Sequence, residues 1–219
     1  MVGNIKKDIH LALVLGLIFT VLLSMVSFEA RCSEIRENVL RLHILANSDS
    51  AEDQQLKLKV RDRLLSEGAE IFGCIQTEQQ ALECARNNIA KLQLAAEDEV
   101  KKNGYNYPVK VEIGEVDFST REYENFTLPA GRYEAVRVLI GNAQGQNWWC
   151  VMFPPVCLPA AEDQRELSDV LTKDSVEIIE NPQNYKIRFK TVEIYESIKN
   201  KLGEWFADSD KRLKSPKAK

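Results

Sequence analysis

From Ile9 to Phe28 the chain runs twenty residues without a charge; beyond that, its apolar positions fall into short periodic runs. The opening run, preceded by Lys6 and Lys7, has the form of an export segment and is long enough to cross a bilayer once. Cleavage would fall at Phe28-Glu29-Ala30, which has a small last residue but a bulky one two before it. A retained single anchor is the competing reading. A lipid on Cys32 is disfavoured by Arg31, where a small residue is needed. Each reading places the rest of the chain outside the cytoplasm. Val39 to Ala46 is a short, mostly apolar run, as in a buried strand. Asn47-Ser48-Asp49-Ser50 follows with turn formers, and Ser50 with Asp53 suggests a helix cap. The next helix carries Leu56, Val60, Leu64 and Ile71 on one stripe, with Leu58 and Leu65 on the opposite side. Thr77 to Gln80 caps a second helix through Leu82, Ala85, Ile89, Leu92, Ala96 and Val100, closed by Asn103-Gly104.

Strand patterns come next. Val109, Val111 and Ile113 alternate with charge, and the phase shifts at Gly114 to Val116 and Phe118, which predicts a bulge. Tyr133 to Ile140 is a second strand, Gly141 to Gly145 a turn, and Asn147 to Phe153 a third strand. These three are expected to form an antiparallel meander. Arg165 to Leu171 predicts a short helix. Tyr185, Ile187 and Phe189, alternating with Lys186, Arg188 and Lys190, predict a charged edge strand. Val192, Tyr195, Ile198, Leu202 and Trp205 form a terminal amphipathic helix. The order implies an α/β (α+β) fold: a two-layer domain with a mainly antiparallel sheet and helices largely on one face. Residues 1–30 are the export segment or anchor, 31–207 the domain, and 208–219 a basic tail expected to be disordered.

Composition narrows the function. The net charge of -4, with 29 basic and 33 acidic residues interspersed, gives no basic face for nucleic acid. Only one histidine, His43, lies beyond the apolar segment, and CxxC spacing is absent, which excludes the common zinc arrangements. No cofactor is implied. The densest chemistry is Asn147 to Cys157, which holds Trp148, Trp149, Cys150, Phe153, Pro154, Pro155 and Cys157. Adjacent strand residues point to opposite faces, so the two tryptophans cannot enter one core. The Pro-Pro pair ends strand pairing. A bridge between Cys150 and Cys157 would close a six-residue loop and contribute about 2–3 kcal/mol. Cys74 and Cys84 either clip a helical hairpin or are small buried thiols.

Two functional classes compete on these residues. A hydrolase would use His43 as base with Cys150, Cys157, Ser48 or Ser50 as nucleophile, the serines oriented through Asp49 or Asp53. The plainer reading makes His43 a packed core residue and Asn47 to Ser50 a turn and cap. A binding module would present Trp148, Trp149, Phe153, Pro154 and Pro155 to a partner, with Asn47, Ser48, Asp49 and Ser50 as a second contact at a strand end.

Three segments carry a family resemblance. They are Arg41-Leu42-His43-Ile44-Leu45-Ala46-Asn47-Ser48-Asp49-Ser50 with its continuation Leu56 to Asp62, the Asn147 to Cys157 segment, and Tyr185 to Lys190. Over about residues 37–200 the chain resembles the stage II sporulation protein R family. The resemblance implies a protein made in the forespore of endospore-forming bacteria and exported into the space between the forespore and mother-cell membranes. There it would trigger a membrane-embedded aspartic protease of the mother cell, which processes the sigma factor E precursor. It implies a ligand for that protease rather than an enzyme.

Overall fold

The computed structural model describes residues 2–72, 75–154, 156 and 167–214. It is a mixed α/β domain entered by one long helix. In chain order the elements are α1 (Val2–Glu37), β1 (Leu40–Leu45), α2 (Ala51–Phe72), α3 (Glu78–Asn87), α4 (Ile89–Lys102), β2 (Val109–Phe118), β3 (Arg121–Glu122), β4 (Thr127–Leu128), β5 (Gly131–Ile140), β6 (Asn147–Phe153), α5 (Lys173–Glu180) and α6 (Lys186–Lys214).

The main sheet has the order β2-β5-β1-β6. β1 runs parallel to β5 and antiparallel to β6, while β2 and β5 are antiparallel. The expected three-strand meander is therefore interrupted, because β1 separates β5 from β6. The reason lies in β1 itself. Its first five residues are buried on both faces, so the strand requires neighbours on both edges and a layer on each side.

One face of the sheet, with Leu42, Ile44, Val111, Val136, Val138 and Met152, packs under α2, α3 and α4. Leu65 joins this same core, although the helical pattern set it opposite the main stripe. The other face is covered over one end only. There Ile35 and Val39, from the end of α1 and the turn after it, meet Phe118, Tyr133, Ala135, Val151 and Ile179. This division accounts for the phase shift at Gly114. The β2–β5 register is unbroken from Val109 to Phe118, so no bulge forms there. Val109 and Val111 face the helices, and Phe118 faces the second cluster. The apolar phase changes because the covered face changes. The sheet's register shift lies instead between Leu40 and Arg41, against β6.

Four further expectations are also revised. The segment capped by Thr77 is two helices meeting at Asn88, whose backbone N–H returns to the Cys84 and Ala85 carbonyls. The Thr77 cap is present, its side chain accepting from the Gln80 N–H. Tyr185 to Lys190 is not an edge strand: Lys186 opens α6, with Phe189 and Val192 buried three residues apart. A short alternating run satisfies either period, and the continuation to Val192 decides for helix. α6 reaches Lys214, past the start of the expected tail. Of the short helix expected at Arg165 to Leu171, a single 3-10 turn at Leu167–Asp169 is described; residues 165 and 166 lie outside the described residues.

α1 is continuous from the apolar segment into the domain. It contains the one helix among the described residues long and apolar enough to cross a membrane. Its large apolar side chains from Ile9 to Val26 are exposed, whereas Phe28, Cys32 and Ile35 are buried against the domain. Phe28 stacks on Tyr185 and meets Phe189 edge-on at 5.4 Å. Arg36 pairs with Glu29. The segment expected to hold a cleavage site is thus part of a packed junction.

Candidate functional site

β6 places the two tryptophans on opposite faces, as the period of a strand requires. Trp148 lies opposite Ile44 on the helix-covered face. It is half-buried against that core, with the Arg61 guanidinium 4.5 Å from its ring centroid. Trp149 lies opposite His43 on the other face and stacks on the imidazole at 3.8 Å with the planes 12° apart. Phe118 meets its edge at 4.7 Å, and the Arg121 guanidinium lies 5.4 Å away. Phe153 and Pro154, expected at a contact surface, are buried. Phe153 packs in the core, opposite Leu40 of β1. Pro155 lies outside the described residues.

The Asn47 to Ser50 turn is occupied by bonds within the chain. Asn47 Oδ1 accepts from the Asn142 N–H at 2.9 Å, and its Nδ2 donates to Asp53 Oδ2 at 2.8 Å. Ser48 Oγ donates to the same carboxylate oxygen at 2.6 Å. Asp49 Oδ1 accepts from the Gln146 N–H at 2.7 Å, and Ser50 Oγ caps α2 by accepting from the Asp53 N–H at 3.2 Å. Lys57, almost fully buried, donates to the Gln146 carbonyl at 3.0 Å. Burial alone would raise the Asp53 carboxyl, but bonds from Ser48, Asn47, Tyr107 and Ser50 outweigh it and hold the group below its usual range. The turn is a latch between the start of α2 and the β5–β6 connection. Glycine is needed where the two approach. A Cβ on Gly145 would lie 2.2 Å from the Ser48 carbonyl oxygen, and one on Gly141, whose φ is +59°, 2.2 Å from Asn47 Oδ1.

His43 is not placed to activate a nucleophile. It is 5% exposed, and burial, with Arg137 and Arg41 adding to it against a bond to Asn147, lowers its pKa from 6.5 to about 4. The imidazole is therefore neutral at pH 7. Its Nε2 lies 2.8 Å from Asn147 Oδ1, and its Nδ1 is buried without a partner. Cys150 lies opposite Leu42, on the other face of the sheet, and is disulfide-bonded. Cys157, its expected partner, lies outside the described residues. Ser48 and Ser50 bond to the turn and the α2 cap instead. Cys84 is a free thiol, so of the two readings open for it the clip to Cys74 is the one excluded; Cys74 itself lies outside the described residues. Among the described residues no group of His, Cys, Asp and Glu could hold a metal ion.

Sequence reasoning missed the role of Arg41. It is fully buried, with its guanidinium 3.9 Å from the Phe118 centroid and 5.0 Å from that of Tyr133. It donates to Tyr123 Oη, while Nε and Nη1 have no acceptor. Aromatic faces take the place of a carboxylate. The signal available in the sequence was an arginine inside an otherwise apolar strand. Beyond this covered end, the same face of the sheet is less covered among the described residues. Lys110, Glu112, Arg137, Leu139, Asn147 and Trp149 line it, partly or fully exposed. Arg137 and Glu112 pair across the strands at 2.9 Å.

The fold and this face define an α/β domain, entered by one helix long and apolar enough to cross a membrane, whose chemistry-bearing residues hold the fold together. A family model described as "Stage II sporulation protein R (spore_II_R)" matches residues 36–163. A relative in Bacillus subtilis (strain 168), "Stage II sporulation protein R", is 33% identical over 184 residues, covering 80% of this chain and 82% of the relative. The chain belongs to the stage II sporulation protein R family. No solved structure matches it.

Proposed function

We propose that this chain is an intercellular signal of sporulation, exported from the forespore, which activates a membrane-embedded aspartic protease of the mother cell and so the processing of the sigma factor E precursor. Family membership and the apolar N-terminal helix support this reading. The observation that carries it is the less covered sheet face bearing Trp149, next to a rigid cluster of Arg41, His43 and Phe118.

A ligand activates only by binding the active state better than the inactive one. A preference of about 3 kcal/mol changes the ratio of the two roughly a hundredfold. Trp149 supplies broad apolar area at low entropic cost, and the Arg137–Glu112 pair beside it supplies register. Trp148 acts from the other face by fixing the strand to α2.

The test is co-expression with the protease and its precursor substrate, with binding and processing both measured. Trp149→Ala and Arg137→Glu are expected to weaken binding tenfold or more, in line with an anchor worth about 2 kcal/mol. Lys101→Glu, on the outer side of α4, is expected to leave binding unchanged. Parental binding by both sheet-face variants would refute the assignment. Substrate turnover by the purified chain alone, lost in a folded His43→Gln variant, would instead favour a hydrolase.

A further inference from the structure

α6 is apolar on two sides. One side, with Phe189 and Val192, is buried against Phe28 and Cys32 of α1. The second side is largely exposed. Ile187, Ile194, Tyr195, Ile198, Leu202 and Trp205 are 51–83% exposed, and at about 100° per residue they fall within an arc of about 100°. Three basic residues border this stripe, Lys190 and Lys201 along one edge and Arg188 along the other; Lys199, next to Arg188, pairs with Glu196 on the far flank. Glu193, which pairs with Lys190 at 2.8 Å, and Glu196 lie on the sides turned away from it.

The direction of the stripe is set by the crossing with α1. A groove at the crossing is lined by Met25, Val26 and Glu29 of α1 and by Thr191, Val192 and Tyr195 of α6. Glu196, Lys199 and Asn200, on the other flank, look towards Ser33, Arg36 and Glu37. Tyr195, at one edge of the stripe, therefore turns towards the exposed apolar part of α1, and α6 crosses at the level where that part ends, beside Val26.

We propose that α6 is a second membrane element, lying in the interface of an anionic bilayer at the point where α1 leaves it. An apolar stripe bordered by lysine and arginine is the form of an interfacial helix: the stripe enters the acyl boundary and the basic ends reach the phosphates. The helix would fix how the domain stands on the membrane. This inference does not rest on the protease reading.

The full chain, reconstituted into phosphatidylethanolamine–phosphatidylglycerol vesicles with brominated acyl chains, tests it. Part of the tryptophan emission is expected to be quenched, and Trp205→Phe is expected to remove that part. Ile194→Asp with Ile198→Asp is expected to abolish Trp205 quenching while α1 stays resistant to carbonate extraction. Equal quenching of the parent and Trp205→Phe would overturn the proposal. So would a stripe covered by a second copy, seen as a cross-linked dimer without lipid quenching at every lipid-to-protein ratio. Replacing phosphatidylglycerol by phosphatidylcholine is expected to reduce the quenching, and an unchanged value would overturn the part given to the basic edges.

Discussion

Arg41 and His43 lie two residues apart on the same face of β1; burial lowers the pKa of both, and only His43 gives up its charge. Arg41 is placed among Phe118, Tyr123 and Tyr133, whose ring faces receive a delocalised cation. A lysine would bring a compact charge that three rings cannot share, so Arg41→Lys is expected to cost at least about 2 kcal/mol more than Arg41→Met. Denaturant titration of the two variants measures the difference. His43 instead stays neutral. Its pKa falls from 6.5 to about 4 on folding, so the unfolded chain binds the extra proton between those values. Stability from this group is complete above pH 6.5 and is lost as the pH drops towards 4, by about 3 kcal/mol. His43→Gln is expected to flatten the stability profile in that window. Asp53 acts lower down: its folded pKa is depressed, so its contribution is lost only as the pH falls below the ordinary 3.8.

At the scale of elements, the latch between the Asn47 to Ser50 turn and the β5–β6 connection joins segments about a hundred residues apart. Gly145→Ala would push a Cβ into the Ser48 backbone, and a loss of about 2 kcal/mol or more in denaturant titration is the expected outcome. The turn was legible as a turn, because Asn, Ser and Asp form local bonds. Its partner was not, since nothing in Gly141 to Gly145 specifies which distant chain fills the space above those glycines. The opposed tryptophans were legible for a similar reason: the period of a strand is local. The sheet order was not, because the run from Leu40 to Leu45 shows that the strand is central but not which strands flank it. Phe153 was placed at a surface because aromatic residues beside prolines suggest exposure; its register against Leu40 buries it. Arg41 was passed over because charge in a strand reads as an exposed face, and only the assembled rings show otherwise.

For the molecule as a whole, the junction of α1 with the domain decides what removal of the apolar segment would do. A chain beginning at residue 31 lacks Phe28 and Glu29, and with them the contacts to Tyr185, Phe189 and Arg36. One beginning at residue 27 keeps them. The shorter chain is expected to melt several degrees lower by circular dichroism, because deleting a buried Phe costs about 3 kcal/mol. Equal melting would show that the junction adds nothing. The position of β1 has a consequence for delivery. Its neighbours begin at Gly131 and Asn147, so a chain threaded across a membrane amino end first emerges with its middle strand alone. Local helices can form meanwhile, but the sheet cannot close until the pair of tryptophans has come through. A chain delivered in this way stays a pliable thread until residue 153 is through, and the last helices dock on a sheet that has only then closed.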